Sequence, residues 1–245
     1  MSARPAAGGG RWVSIPPSRL PRWLTNFAAR HGGPPSEEGG PDLVVLTAPD
    51  GAVAECHVPF GPLASGRSGD PGISGADEAG LATGDGSPGP GPLAGALISH
   101  VSRERRVAVL LVRLGGYAAG VFEGDRLLVS KVGSRLVHGR SAAGGWSQQR
   151  FARRREKQAD EALGAAADVA ARVLLSAIEE GLAGFVVGGD RKAIDELRGD
   201  RRLGPLFALE AGPFLTVPDP RLAVLEKTPE EFRAVRIRVV DPPEV

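Results

Sequence analysis

Three runs of strand-forming residues follow one another in residues 105–134, which read RRVAVLLVRLGGYAAGVFEGDRLLVSKVGS. Gly-Gly separates the first run from the second, and Glu-Gly-Asp separates the second from the third. Short links of this kind join neighbouring antiparallel strands, because glycine adopts the positive φ angles that tight turns require. The segment therefore predicts a three-stranded meander in an antiparallel part of a sheet.

A long helix is predicted after the meander. Residues from about Ser147 to Gly181 contain no proline, and apolar side chains recur at helical spacing in the second half of this stretch. These side chains are Leu163, Ala166, Ala167, Ala170, Val173, Leu174, Ala177 and Ile178. The distal half of the helix is therefore expected to pack against the sheet, whereas the proximal half is charged.

The C-terminal segments supply further strands. GFVVGGD, residues 184–190, predicts a buried strand that turns tightly into a helix, RKAIDELRG, with Asp190 as its N-cap. This segment lacks the glycine spacing of a phosphate-binding fingerprint, so a strand-to-helix turn is the preferred interpretation. Further strand candidates are PLFAL, PFLTV and FRAVRIRVV.

The N-terminal region starts with a frayed, glycine-rich stretch and continues with one helix and one hairpin. SRLPRWLTNFAARHGG predicts a short amphipathic helix with Ser18 as N-cap and Gly32 at its end. DLVVLTAPDGAVAECHV predicts a hairpin from Asp42 to Val58, because Pro-Asp-Gly is a typical turn sequence. Both elements have an apolar face to bury.

Residues 61–92 interrupt this order of elements. They are dominated by Gly, Pro, Ser, Ala and Asp, with too few large apolar groups to offset the entropy of ordering them. We expect a disordered insertion, with an interaction tail as the alternative. The elements as a whole predict the α/β class, as a single mixed-sheet domain of residues 11–245 that contains this insertion.

Composition narrows the functional classes. The net charge of +1 and the pI near 8.0 give no general attraction to nucleic acid, so any such affinity must come from local clusters. A single cysteine, Cys56, excludes an internal disulfide framework and is expected to be a small buried strand residue. The four histidines lack metal-ligand spacing. We see no signal peptide and no membrane span, and we expect a cytoplasmic protein.

One segment, RSAAGGWSQQRFARRREKQ of residues 140–158, combines features that suggest chemistry. Gly144 and Gly145 precede a helix and allow close approach by a partner. The first N–H groups of that helix have no intrahelical acceptors, and the helix dipole favours negative charge there. Gln148 adds a neutral amide that can orient a water without taking its proton, so the loop could catalyse without a strong base.

The same segment carries a cluster of positive charge. Arg150, Arg154 and Lys157 recur at i, i+4 and i+7, with Arg153 and Arg155 beside them. Lys131, Arg135, His138 and Arg140 approach the loop from the strand side. Such a cluster could neutralise RNA phosphates, whereas the simpler interpretation is a solvated arginine face. Trp146 argues against the simpler interpretation, because an exposed aromatic residue beside arginines usually stacks or docks.

Taken together, the meander, the Gly-Gly loop with its glutamine and the long basic helix resemble a known domain. They resemble the middle, peptidyl-tRNA-hydrolysing domain of eukaryotic and archaeal class I release factors, which has an RNase H-like fold. They are more similar to its relative in the Vms/ANKZF ribosome quality-control hydrolases, in the stand-alone form found in actinobacteria. That subfamily carries Gly-x-x-Gln in place of Gly-Gly-Gln, and Gly145-Trp146-Ser147-Gln148 matches this motif.

The resemblance implies a codon-independent peptidyl-tRNA hydrolase without a cofactor or metal. Gln148, with Gly144 and Gly145, would position water against the ester at the peptidyl-tRNA 3′ end, inside the large ribosomal subunit. Gln149 directly follows Gln148 and is the alternative catalytic glutamine. The RNA-binding residues would be Trp146, Arg140, Arg150, Arg153, Arg154, Arg155 and Lys157. The sequence has no second domain that could read a stop codon, which favours codon-independent rescue of stalled or obstructed subunits over ordinary termination. We expect the protein to be a monomer.

Two other functions remain open. A non-catalytic module that binds tRNA or ribosomal RNA would share every feature except a need for Gln148. A nuclease would require clustered carboxylates that hold metal ions, with Asp42, Asp125 and Asp190 as candidates. Turn and capping roles already account for these three aspartates, so the nuclease is the less favoured hypothesis.

Overall fold

The computed structural model describes residues 4–63, 90–113, 116–134 and 147–242. For residues 147–157 and 159 it describes the helical backbone alone. Contacts divide the chain into two compact units. The first unit combines Met1–Arg103 with Arg233–Val245, and the second is Glu104–Phe232.

The first unit contains a six-stranded antiparallel sheet and two helices. Its helices are α1 (Leu20–Arg30) and α2 (Pro92–Ser102). Its strands are β1 (Arg4–Pro5), β2 (Arg11–Ile15), β3 (Ser36–Gly39), β4 (Leu43–Thr47), β5 (Val53–His57) and β10 (Val235–Val240). The strand order is β1-β2-β10-β5-β4-β3, so the C-terminal strand lies in the middle of the sheet.

Alternation along these strands separates a core face from an exposed face. In β10, Val235, Ile237 and Val239 are buried, whereas Arg236 between them is exposed. The buried residues form one cluster with Leu20, Leu24 and Phe27 of α1 and with residues of α2. Buried side chains recur at every second residue along the strands and at every third or fourth residue along the helices, and together they form this core.

The predicted hairpin of residues 42–58 is confirmed. Strands β4 and β5 pair antiparallel, and Gly51 in the turn has a φ of 90°. The Asp50 carboxylate accepts a hydrogen bond from the Ala52 N–H at 3.0 Å, which closes the turn. Cys56 is fully buried in β5, as the sequence predicts.

The second unit contains a mixed four-stranded sheet in the order β8-β7-β6-β9. Its strands are β6 (Arg106–Arg113), β7 (Gly116–Glu123), β8 (Arg126–Ser134) and β9 (Gly184–Gly189). Its helices are α3 (Ser147–Leu174), α4 (Ser176–Glu179), α5 (Arg191–Arg198), α6 (Gly204–Phe207), α7 (Leu222–Leu225) and α8 (Pro229–Phe232). The antiparallel meander β6-β7-β8 is confirmed, and β9 adds a parallel strand beside β6.

The distal half of α3 packs on this sheet. Ala166, Ala170 and Leu174 are fully buried and form one cluster with Leu110 and Ala119 of the sheet. Alanines in the helix permit a short distance between helix and sheet, because no larger side chain separates them. The predicted helix over residues 147–181 ends earlier than expected, at Leu174, and a separate turn, α4, follows it.

The strand-to-helix turn after β9 is also confirmed. Gly189 has a φ of 101°, and the Asp190 N–H donates to the Val112 carbonyl at 2.8 Å. Asp190 then caps α5, since its carboxylate accepts from the Lys192 N–H at 3.0 Å. Gly188 and Gly189 therefore allow a tight strand-to-helix turn, as the sequence analysis predicts.

Several predicted elements differ from the structure. The frayed N-terminal stretch contains β1 and β2, because β2 pairs with the distant C-terminal strand β10. The first three residues of PLFAL lie in α6, and PFLTV forms a single bridge at Leu215 rather than a strand. FRAVRIRVV supplies β10 as predicted. The first helix begins at Leu20 after a 3₁₀ turn, so Ser18 is not its N-cap. Helix α2, which begins at the end of the predicted insertion, was not predicted.

The α/β class and the mixed sheet are confirmed, although the sequence analysis treats residues 11–245 as one domain. The long-range pairing of β10 with β2 and β5 closes the first unit around its own core. Most of the predicted insertion, residues 64–89, lies outside the described residues. No helix in the described part of the chain is long and apolar enough to cross a membrane.

Candidate functional site

The predicted catalytic loop starts from the edge strand of the mixed sheet. Strand β8 ends at Ser134, which pairs with Gly116 of β7, and α3 starts at Ser147. The loop between them, residues 135–146, lies outside the described residues. The roles predicted for Arg140, Gly144, Gly145 and Trp146 therefore remain predictions.

The start of α3 places both candidate glutamines in the first helical turn. Gln148 and Gln149 are the second and third residues of α3, and their side chains are outside the described set. The first N–H groups of any helix lack intrahelical acceptors and carry a partial positive charge of about half a unit. The motif thus ends in the first turn of a 28-residue helix, and the chemical role of this position remains a prediction.

The helical backbone also fixes the spacing of the predicted cations. With 3.6 residues per turn, positions 150, 154 and 157 fall along one face of α3, and 153 and 155 fall on either side of it. The helix is about 42 Å long at about 1.5 Å per residue. The basic positions occupy its proximal part, before Ala162, which is the first buried residue among those of α3 whose side chains are described. Whether their side chains form one charged surface remains a prediction.

The distal part of α3 is fixed by packing and by an ion pair. Its buried alanines pack against β6 and β7, and Asp168 forms an ion pair with Arg202 at 2.7 Å. On the strand side, Tyr117 lies against Gly133, where an added Cβ would collide with the tyrosine ring. Residues 135–146 are therefore preceded by β8, a strand of the mixed sheet, and followed by α3, a helix that packs on the same sheet.

A cleft of about 440 Å³ opens where β8 ends. Three groups of residues line it: the end of β6 and the start of β7, the end of β8, and a segment that precedes α7. These residues are Arg113, Gly116, Val132, Gly133, Ser134, Asp219, Pro220 and Arg221. The cleft thus adjoins the residue from which the predicted catalytic loop starts.

Arg113 is a residue of this cleft to which the sequence analysis assigned no function. Its side chain is half-buried, and one of its terminal nitrogens donates to the Val217 carbonyl at 2.7 Å. The signal was present in the sequence, since Arg113 interrupts the most apolar run of the chain. A charged side chain inside such an apolar run is usually paired with an opposite charge or contacts a ligand.

Other reactive groups do not assemble into a second catalytic centre in the described residues. Burial raises the pKa of the Cys56 thiol to about 12, so it stays protonated and poorly nucleophilic at neutral pH. Burial, and then the charge of Arg236, lower the pKa of His57. No group of three His, Cys, Asp or Glu in the described residues could hold a metal ion, so these residues give the nuclease hypothesis no support.

Comparison with known families defines the class of protein. Residues 105–238, more than half of the chain, match the model of a family of release factors. The chain belongs to the family described as the Actinobacteria/chloroflexi VLRF1 release factor. The matched region contains the whole mixed sheet, α3 and the cleft. The comparison with curated protein sequences gave no match.

Among solved structures, the chain is similar to the crystal structure of an archaeal translation termination factor, aRF1. The identity is 17% and the TM-score 0.40, over 87% of this chain and 61% of that one. A second similar structure is titled only as an archaeal protein, with 19% identity and a TM-score of 0.33, over 75% of this chain and 48% of that one. The chain thus spans 61% of the length of the archaeal termination factor.

Proposed function

We propose that this protein is a codon-independent peptidyl-tRNA hydrolase that releases nascent peptides from stalled or obstructed large ribosomal subunits. The observation that carries the proposal is the coincidence of two features. Residues 105–238 match a release-factor family, and within them α3 begins at the Gly-x-x-Gln motif. Residues 144–148 would then enter the peptidyl-transferase centre.

The reaction needs only a positioned water and stabilisation of developing charge. The water oxygen attacks the carbonyl carbon of the ester, the bond from that carbon to the ribose 3′ oxygen breaks, and a proton passes to the released 3′ hydroxyl. The Gln148 amide orients the water, and the N–H groups at the start of α3 favour the negative charge on the carbonyl oxygen. Glycines at 144 and 145 allow the backbone to approach the tRNA end.

Binding would depend on RNA phosphates. Arg150, Arg154 and Lys157, with Arg153 and Arg155, would contact tRNA or ribosomal RNA, and Trp146 and Arg140 would contact it from the loop. The protein would act as a monomer in the cytoplasm, where ribosomes are found, without a cofactor or a metal ion. Neutralising several phosphates makes the affinity strongly dependent on salt concentration.

The catalytic assignment is tested with two neighbouring glutamines. Gln148→Ala should slow release of labelled peptide by about 10²–10³-fold, which is typical of removing a group that stabilises the transition state. Gln149→Ala is the matched control and should keep most of the activity. Release is measured under single-turnover conditions on large subunits that carry peptidyl-tRNA. Full activity of Gln148→Ala would refute the assignment.

The spacing of cations on α3 equally fits a non-catalytic module that binds tRNA or ribosomal RNA. In that case the protein would bind large subunits with the same salt dependence, but neither the wild type nor either glutamine variant would release peptide. Binding measured beside release therefore separates the two functions.

A further inference from the structure

Two arginines converge on the cleft at the end of β8. Arg113 approaches from the end of β6, and Arg221 comes from the segment directly before α7. Asp219 is the single acidic residue among those that line the cleft, so its lining carries a net charge of +1. The volume of about 440 Å³ is within the range of roughly 300–1,000 Å³ that is typical of ligand clefts.

Arg113 has donors to spare in this cleft. Within the described residues, the one hydrogen bond of its side chain is the 2.7 Å contact with the Val217 carbonyl, which occupies one of its five side-chain N–H groups. No carboxylate of the described residues forms an ion pair with it. An anion that enters the cleft can accept hydrogen bonds from the remaining N–H groups of Arg113.

The second cation is exposed and free to move toward an anion. Arg221 caps α7 through its backbone carbonyl, which accepts from the N–H groups of Val224 and Leu225 at 3.0 Å. Its side chain has no polar partner in the described part of the chain, so removing the charge leaves these backbone contacts in place. The two arginines therefore differ in burial but face the same space.

We propose that this cleft, which adjoins the end of β8, binds a phosphodiester of an RNA strand, held by Arg113 and Arg221. Guanidinium groups match phosphate geometry because their planar N–H groups can donate in pairs. The phosphodiester is in either ribosomal RNA or tRNA.

This inference rests on the proposed function, because an RNA partner is assumed, and its test is one of binding rather than release. The dissociation constant is measured at several salt concentrations for two probes, purified large ribosomal subunits without tRNA and free deacylated tRNA. Arg221→Ala and Arg113→Gln should each weaken binding about fivefold. Each should also reduce the slope of log affinity against log salt by about 0.7. The probe whose binding the two variants weaken shows whether the phosphodiester belongs to ribosomal RNA or to tRNA.

Three further variants sharpen the test. Asp219→Asn removes the acidic residue of the cleft and should tighten binding, the opposite sign to the arginine variants. Arg113→Lys keeps the charge, so it should retain the wild-type salt slope. Arg201→Ala is the matched control, because Arg201 is exposed in the same unit and does not line the cleft.

Wild-type affinity and salt slope in both Arg221→Ala and Arg113→Gln, for both probes, would overturn the inference. If Arg113→Gln does not fold, Arg221→Ala decides alone. Peptide release by the wild type is measured on the same preparation. Release with unchanged binding in the variants would reject the cleft and keep the hydrolase, whereas weakened binding without any release would reject the hydrolase and keep the cleft.

Discussion

Gly188 and its neighbour Gly189 allow three chain segments to approach closely at the end of β9. A Cβ at Gly188 would lie 2.6 Å from the Leu215 carbonyl oxygen and 3.0 Å from the Leu111 side chain. Gly189 adopts a positive φ, and a Cβ there would collide with the Val112 carbonyl. The pair thus fixes the turn that positions Asp190 as the cap of α5, next to the end of β6 that carries Arg113.

Gly188→Ala should therefore destabilise the protein by about 1–3 kcal/mol, as expected for overpacking a close-packed site. Gly164→Ala is the matched control. Gly164 is exposed in α3 with open space around it, so alanine there should stabilise the helix by up to about 1 kcal/mol. Urea unfolding of both variants measures the two changes. If Gly188→Ala were as stable as the wild type, Leu215 and Leu111 would not lie as close to Gly188 as described.

Individual residues differed in how well their roles could be predicted. Cys56 and Asp190 were predicted correctly because each depends on local pattern, an alternating strand or a turn followed by a helix. Arg113 and Arg221 were not recognised as a pair, since 108 residues of sequence separate them and only the folded sheet brings them to one cleft. Ser18 was assigned as a cap because a 3₁₀ turn before a helix has no distinct sequence signal.

At the scale of elements, α2 shows how a helix can depend on a distant residue. Its N-terminal residue is preceded by Gly91, which offers no capping side chain. The Glu37 carboxylate of β3 instead accepts hydrogen bonds from the Leu93 N–H at 2.7 Å and the Ala94 N–H at 3.3 Å. Sequence reasoning missed α2 because its cap lies 56 residues away.

Glu37→Ala should cost about 0.5–2 kcal/mol of stability, the range measured for removal of N-capping side chains. Glu38→Ala is the matched control, because Glu38 is the next residue of the same strand and is exposed. Both are compared by urea denaturation, and helix content is followed by circular dichroism. An equal loss in both variants would show that the cap contributes nothing specific.

The elements of the mixed sheet were the most predictable part of the fold. The strands β6, β7 and β8 are joined by short links, so their pairing follows from local sequence. β10 was predicted as a strand, yet its place between β2 and β5 was not, because pairing across more than 170 residues leaves no local pattern. The helical start at the Gly-x-x-Gln motif was predicted and is confirmed, whereas the side chains of the motif are still a prediction.

At the scale of the whole molecule, three carboxylates link stability to pH. The pKa of Asp50 is lowered by the Ala52 N–H and by His31, that of Glu123 by Arg126 and Arg106, and that of Asp200 by Arg202. The unfolded chain then binds more protons than the folded chain at acidic pH. The stability that these groups contribute is present above their ordinary values of 3.8 to 4.5 and is lost as the pH falls below them.

We therefore expect the urea midpoint to fall between pH 5 and pH 3, on the order of the ordinary carboxylate pKa range. Glu123→Gln should lower the urea midpoint at pH 6. It should also make the decline of the midpoint toward pH 3 shallower, because the unfolded variant has one fewer carboxylate that takes up a proton. A decline with the same steepness in Glu123→Gln and the wild type would contradict the role given to Glu123.

The division into two units has a consequence for how function is distributed. The mixed sheet, α3 and the cleft belong entirely to the second unit, whereas the first unit is built around its own sheet and a separate core. The family match extends to residue 238 and so includes the first four residues of β10, which belongs to the first unit. Both units should therefore be kept in any protein used to test the proposed activity.

The most direct test of the central claim is release of labelled peptide by the wild-type protein from large ribosomal subunits that carry peptidyl-tRNA, without a stop codon or any messenger RNA. Our account predicts complete release in a single turnover by the wild type, and release slower by about 10²–10³-fold by Gln148→Ala under the same conditions. Absence of release by the wild type, at concentrations where its binding to the subunits is measured to be saturated, would contradict it.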